Sequence, residues 1–280
     1  MTHDPTPLDP VALTAAADGG DGEAAHRLAV LSAMGLAVPH DWGAAFRRLE
    51  QAARLGFVPA VEQRDLLSPD VDLERWLAPP PPRPISRVPA IFAVEGFLAT
   101  DVCDYLRARA EDGMEPAMVY DPVTGDGRAE SVRTNAASAF GMERMDVVLA
   151  LVRERIARLA GLPVAGLESS QILHYRIGQK FDWHVDWLDP ALPGYAVDLA
   201  ARGQRIATCL VFLNDDFEGG ETAFEAGGIR HRGRKGDALL WANTRPDGSI
   251  DHGTRHAGLP PTKGEKWVLS QWLRGRAPTA

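Results

Sequence analysis

His184 and Asp186 stand two residues apart in the run Tyr175 to Asp186, YRIGQKFDWHVD. On an extended strand that spacing sends both side chains off the same face, one step of the pleat apart. An imidazole and a carboxylate presented together form a bidentate grip for a borderline divalent metal. One further histidine from a distant strand completes a two-histidine, one-carboxylate face, which suits Fe(II) and leaves open positions for O2 and a second small ligand. His256 is the candidate third ligand, and His252, in the polar loop DGSIDHG just before it, is the rival.

Lys266 favours His256. It lies ten residues beyond that histidine and opens the run KWVLSQWLR, whose alternation reads as a strand with Lys266, Val268 and Ser270 on one face. If that face lines the inside of a small barrel, the ammonium needs an anion, because an unpaired buried charge is very costly. A dicarboxylate that chelates the metal at one end and meets Lys266 at the other supplies it, and 2-oxoglutarate has that form.

These residues need strands to hold them. A first strand begins near Glu168, with Gln171, Leu173 and Tyr175 on one face and Ile172, His174 and Arg176 on the other. After the metal pair, 188–202 reads as a Pro- and Gly-containing loop and RIATCLVFL as a central strand. NDDFEGGET is a turn in which Gly219 and Gly220 supply positive φ, and its acidic side chains read as solvated, not as a second metal site. RKGDALLWA is a strand, NTRPDGSIDHG a loop, and TRHAG the strand carrying His256. Two helices are expected, over 101–110 with Thr100 or Asp101 as N-cap and over 146–159. Between them, 114–139 carries no strong signal.

Residues 1–78 read as a small all-α region. Apolar residues recur at helical spacing over 9–17, 22–34, 41–55 and 59–67, between Gly, Pro and Asp breakers. The stretch GDGEAAHRLAVLSAMGLAVPHDWGAAFRRLEQAARLGFVPA resembles Sel1-like helical repeats, units that bury their faces only against neighbours. A proline-rich run follows, and 79–88 is expected to be a semi-rigid linker, since consecutive prolines hold polyproline II and cannot enter a helix.

The chain has 280 residues, 45% hydrophobic and 24% charged, the composition of an ordinary soluble globular protein. A net charge of -8 with no basic tract argues against nucleic acid as a partner. No segment has the length of a membrane span and the N-terminus lacks a secretory pattern, so a cytoplasmic location without membrane attachment is the expectation. Cys103 and Cys209 both lie in apolar patterns and read as buried, reduced thiols.

From about Pro89 to Arg274 the chain resembles the catalytic domain of prolyl 4-hydroxylases, members of the Fe(II)/2-oxoglutarate dioxygenases. The resemblance runs in order through FAVEGFLATDVCDYL, SVRTN, MDVVLALVRERIARLAGLP, YRIGQKFDWHVD, RIATCLVFLND, FEGGETAF, RKGDALLW and HAGLPPTKGEKW. It implies an α+β fold, a double-stranded β-helix (jelly roll) buttressed by helices, over 89–276. It implies His184, Asp186 and His256 as Fe(2+) ligands, with Lys266 and the hydroxyl of Tyr175 on 2-oxoglutarate and Thr208 touching the same cosubstrate. His252 lacks a lysine at the family's offset. Arg133 falls where the family's RTS-like motif stands in a lid over the substrate; here the triplet is RTN, with Asn135 in place of serine. The implied reaction is O2-dependent hydroxylation of an aliphatic C–H, with L-ascorbate as an auxiliary reductant. Retention of Asp186 favours hydroxylation over halogenation. The implied substrate is a prolyl residue of a peptide or protein partner, with a free amino acid or other small molecule as the alternative. Two other classes share the barrel: a non-catalytic binding module, against which the complete His, Asp, His and Lys set argues, and a Zn or Mn cupin, which would carry more histidines and no such lysine.

Overall fold

The computed structural model describes residues 9–68, 71–120, 127–128 and 132–276. The chain divides into two compact units, Met1–Leu77 with Met142–Arg155, and Ala78–Gly141 with Ile156–Ala280. Among the described residues no helix is long and apolar enough to cross a membrane.

The first unit is helical where the periodicity indicates. Its helices are Pro10–Asp18, Gly22–Met34, Trp42–Arg54, Val58–Leu67 and the short Leu73–Leu77. The aspartates between the apolar runs are N-caps. Asp9 accepts from Val11 N at 2.9 Å, Asp21 from Glu23 N at 2.9 Å and Asp41 from Ala44 N at 3.0 Å. Each cap satisfies an orphan N–H of the first turn and contributes about 1 kcal/mol. Ala25, Ala29, Ala45 and Ala52 are fully buried where successive helices meet, since a side chain of one carbon lets the backbones approach. The unit is not confined to the N-terminal residues. Gln63, almost fully buried, accepts from Val147 N at 3.0 Å, and Asp146 caps the same helix, Val147–Ala160, by accepting from Leu149 N at 2.7 Å.

The second unit is built on two main antiparallel sheets, with two further two-stranded pairs, Glu218–Gly219 with Pro261–Lys263 and Val119–Tyr120 with Gly127–Arg128. The larger runs, in spatial order, Arg83–Arg87, Ala90–Val94, Ala238–Ala242, Arg205–Phe212, Lys266–Arg274, Ser170–Tyr175, Ala136–Phe140 and Glu115–Pro116. The smaller runs Arg230–His231, Thr222–Phe224, His256–Gly258 and Phe181–His184. Between them packs an apolar core, with Leu173, Leu210, Phe212, Trp241 and Val268 from the large sheet meeting Phe224 from the small one. The fold is the expected jelly roll with helices. The Thr100–Glu111 helix lies on the large sheet, where the Cys103 thiol approaches the Phe212 carbonyl at 3.9 Å and Lys235 pairs with Asp104 at 2.6 Å.

Four local expectations differ from the structure. Residues 83–87, inside the expected linker, form an edge strand paired with Ala90–Val94, with a register shift at Pro84; an edge tolerates a proline because one row of its N–H groups has no partner to serve. The Ala136–Phe140 strand arises in a stretch without strand signal because its small residues gain their place from the Ser170–Tyr175 ladder beside it. The supposed loop 188–202 ends in the helix Ala196–Arg202, closed by Gly203 at φ 69. The N-cap of Thr100–Glu111 is Ala99, without a side-chain bond, while Asp101 accepts from its neighbour Val102 N. Cys103 and Cys209 are buried and free, as read, and burial pushes each thiol up to about 12.

Candidate active site

The small sheet builds the metal face. In the pairing of Phe181–His184 with His256–Gly258, His184 stands directly opposite His256, and the two ring centroids lie 4.2 Å apart. Both imidazoles are held the same way. His184 Nδ1 donates to the Asp182 carbonyl at 2.7 Å and His256 Nδ1 to the Thr254 carbonyl at 2.9 Å, which turns each Nε2 toward the same point. The strand ends at His184, and Asp186 lies just past it, 4% exposed, with its carboxylate oxygens 3.7 Å from His184 Nε2 and 3.6 Å from His256 Nε2. One donor atom from each residue falls within 4.8 Å of the others, the one such group among the described residues. His252 is not in it; it packs edge-on against Trp187 at 5.2 Å.

Electrostatics suit this trio to a cation. Burial, together with neighbouring His256, pulls His184 down to about 3, so its imidazole is neutral and available as a ligand at any physiological pH. Burial works to raise the Asp186 carboxyl, but His256, His184 and the Thr208 hydroxyl together hold it below the usual carboxylate range. Phe181 stacks on His184 at 3.5 Å between centroids, and Trp241 meets His256 edge-on at 4.8 Å, so packing fixes the ring planes as well.

A cavity open to solvent adjoins the trio. Lys266, Val268 and Ser270 line it from one face of their strand, as the alternation requires. Lys266 is 1% exposed, and among the described residues its ammonium makes no ion pair. Burial lowers it to about 8, opposed by Glu221. Tyr175 is its direct cross-strand partner, and burial pushes that phenol up to about 12, so it remains a neutral hydrogen-bond donor. Gly258 makes room for it: a Cβ there would stand 3.2 Å from the Tyr175 hydroxyl. Thr222, which sequence reasoning missed although it lies in the quoted FEGGETAF, also lines the cavity, and its buried hydroxyl has no partner among the described residues. A buried ammonium without a counter-ion and two hydroxyls aimed at one space are what a carboxylate would satisfy. The donor set and the cavity therefore fit Fe(II) and 2-oxoglutarate.

Two further expected residues line the cavity and are also held by the protein itself. Thr208 lines the cavity, but its hydroxyl donates to Asp186 Oδ2 at 2.7 Å, because that buried carboxylate is the stronger acceptor. Arg133, expected over the substrate, lines the same cavity. It is 8% exposed, donates from Nε to Asn135 Oδ1 at 3.3 Å and from Nη1 to the Met118 carbonyl at 3.1 Å, and lies 4.6 Å over the Phe181 ring. Arg133, Phe181 and His184 thus form one stack leading to the metal face. Residues 121–126 and 129–131 of the expected lid lie outside the described residues.

Comparison with known proteins agrees with this geometry. The sequence profile of the 2OG-Fe(II) oxygenase superfamily matches residues 170–274. Prolyl 4-hydroxylase 5 of Arabidopsis thaliana is 33% identical over 220 residues, 71% of this chain and 72% of the relative. Probable prolyl 4-hydroxylase 10 of the same plant is 34% identical over 220 residues, 72% of each. A solved prolyl hydroxylase from Trichoplax adhaerens, in complex with a hypoxia inducible factor oxygen degradation domain peptide fragment, superposes with a TM-score of 0.50 at 13% identity, covering 67% of this chain and 84% of that one, and shares the fold. The trio, the cavity beside it and these relatives together establish that the chain belongs to the prolyl 4-hydroxylase family of 2OG-Fe(II) oxygenases and is a 2-oxoglutarate-dependent dioxygenase, with Fe(2+), 2-oxoglutarate and O2 as its reactants and cofactor.

Proposed function

We propose that this dioxygenase hydroxylates a prolyl residue within a peptide or protein. The observation that carries the reading is the identity of about a third, over more than two thirds of the chain, to proteins named prolyl 4-hydroxylases. In this reading His184, Asp186 and His256 hold the iron through neutral imidazoles and one carboxylate. Lys266 pairs with the far carboxylate of 2-oxoglutarate, with the Tyr175 and Thr222 hydroxyls donating to the same group. When bound, iron and 2-oxoglutarate together with O2 supply the oxidising power for C–H hydroxylation, and the cosubstrate leaves as succinate and CO2. The chain's own contribution is alignment. Phe181 and Trp241 fix the imidazole planes, Asp186 is fixed by Thr208, and Leu173, Leu210 and Val268 give the cavity an apolar wall.

Arg133 supports a peptide over a free metabolite. Its guanidinium is held beside Phe181 at the metal face, where it can receive a backbone carbonyl of an extended chain. The helical N-terminal unit, which resembles Sel1-like repeats, is read as the surface that presents the partner, since such modules offer extended faces to other chains. Of the expected linker, 79–82 is assigned to the junction, while Arg83–Arg87 joins the large sheet and, with 89–276, the oxygenase domain. L-ascorbate as auxiliary reductant and a cytoplasmic location complete the proposal.

The test is to incubate Fe(II)-loaded protein and 2-oxoglutarate with host-cell protein extract in one tube and free amino acids in another, and to search both by mass spectrometry for an added oxygen. A hydroxylated prolyl residue in protein is expected. Oxygen added only to a free amino acid would overturn the assignment.

A further inference from the structure

Behind the metal face, Thr208 is backed by a further polar side chain, Asn243, that the roles above leave unexplained. Asn243, just after the Ala238–Ala242 strand, is completely buried. Its backbone is fixed on both sides, the N–H donating to the Ile206 carbonyl at 2.8 Å and the carbonyl accepting from Asp251 N at 3.0 Å. Its side-chain amide lies 2.9 Å from Thr208 Oγ1, and Thr208 Oγ1 lies 2.7 Å from Asp186 Oδ2.

The direction of both hydrogen bonds follows by elimination. Asp186 accepts from Thr208 in this geometry, and a carboxylate that ligates a cation offers only acceptor oxygens. Thr208 has one hydroxyl hydrogen, which must therefore go to Asp186. The Thr208 oxygen then needs a donor on its other side, and only the Nδ2 end of Asn243 can be that donor. This orientation leaves Asn243 Oδ1 buried with no partner among the described residues. A bare buried acceptor is destabilising, and an apolar side chain of similar size would avoid that cost. Packing is therefore a poor account of this asparagine.

We propose that Asn243 and Thr208 form a one-way hydrogen-bond relay that reserves Asp186 Oδ2 and leaves Oδ1 as the single carboxylate oxygen for iron. The inference rests on the iron reading given above. A carboxylate free to bind through both oxygens would occupy a coordination position that 2-oxoglutarate and O2 require. The relay thus protects the open positions of the three-ligand site. Asn243 touches no substrate or cofactor in this scheme; it is a positioning residue acting through Thr208.

The experiment uses the full-length, metal-stripped protein and the variants Thr208→Val, Thr208→Ser and Asn243→Asp. Fe(II) affinity is measured anaerobically by competition with a coloured chelator, and the near-infrared circular dichroism of the Fe(II) form with 2-oxoglutarate reports the coordination number. Thermal melting of the metal-free proteins checks folding. Loss of a partner behind a metal ligand weakens binding by about 10- to 100-fold, and this is expected in Thr208→Val, which lacks the donor. The same is expected in Asn243→Asp, whose carboxylate competes with Asp186 for the one hydroxyl hydrogen, while Thr208→Ser should bind within about threefold of the original. Ligand-field bands of folded Thr208→Val should shift toward a more saturated site. Unchanged affinity and bands in folded Thr208→Val, or unchanged affinity in folded Asn243→Asp, would overturn the relay; failure of the unaltered protein to bind Fe(II) would instead overturn the iron reading beneath it.

Discussion

Lys266 and Tyr175 are direct partners across two adjacent strands, and the lysine ammonium lies 5.3 Å from the centre of the tyrosine ring. The ring face gives a buried cation partial compensation, of the order of 1–2 kcal/mol when desolvated. A full counter-ion is still wanted. Lys266→Ala is expected to weaken 2-oxoglutarate binding by about one to two powers of ten, from the roughly 1.5–3 kcal/mol of a charge-assisted contact, and to spare iron affinity. Titrating 2-oxoglutarate into the anaerobic Fe(II) protein while following the metal-to-ligand absorption band measures the first, and Fe(II) competition with a coloured chelator the second. An unaltered curve in the variant would remove Lys266 from the cosubstrate site.

The depressed Lys266 gives a pH dependence of known sign. Burial brings it to about 8, and an anion bound to the ammonium raises it again. Affinity for 2-oxoglutarate should be flat below about pH 8 and fall toward tenfold per unit above it, where binding must first return a proton to the amine. Lys266→Arg, charged throughout this range, should show no break near pH 8. Stability of the metal-free protein should move the opposite way. Between about pH 8 and the unfolded value near 10.5 the folded state has released a proton that the unfolded chain keeps, so stability rises with pH in that window. Urea midpoints across it provide the check.

Much of this site is legible in the sequence because its parts are local or periodic. The two-residue spacing of His184 and Asp186, and the alternation that puts Lys266, Val268 and Ser270 on one cavity wall, both follow from the pleat. What was not legible depends on partners far away in the chain. Thr208 reads as a cosubstrate contact until Asp186 is seen above it, 22 residues away. Asn243, 35 residues from Thr208, lies at the head of a loop reading and gives no signal of its own. The Ala136–Phe140 strand and the Val147 N–H held by Gln63 have the same character, since neither composition nor period records a neighbour supplied by tertiary structure.

Alanine at His184, Asp186 or His256 is expected to remove Fe(II) binding while the far-ultraviolet circular dichroism stays close to that of the original. These side chains line a cavity and form no part of the apolar core. Iron content after anaerobic loading and desalting decides it. A full iron complement in His256→Ala would move the third ligand elsewhere, with His252 as the first place to look.

Neither cysteine should react in the native state. Both thiols are buried and pushed to about 12, so the thiolate fraction at pH 8 is about one in ten thousand before access is considered. Ellman's reagent should report no fast thiol in the folded protein and two in guanidinium chloride. A fast native thiol would show that the Thr100–Glu111 helix or the central strand opens readily.

Arg133 tests the peptide reading most directly. Its guanidinium is held by Asn135 and by the Met118 carbonyl, and it lies over Phe181, which itself stacks on the metal-facing His184. A lysine in its place keeps the charge but cannot reproduce the planar stack or the two directed N–H bonds. Arg133→Lys is therefore expected to leave Fe(II) and 2-oxoglutarate affinities within about threefold. A charged hydrogen bond to a substrate carbonyl is worth roughly 1.5–3 kcal/mol, so kcat/KM for a prolyl peptide should fall by about 10- to 100-fold. Because cosubstrate turnover continues when the target carbon is poorly placed, the ratio of succinate released to hydroxylated peptide should rise well above one. Measuring both products in one reaction separates positioning from general damage, which would lower them together. A ratio unchanged from that of the unaltered protein, with kcat/KM intact, would place the substrate away from Arg133.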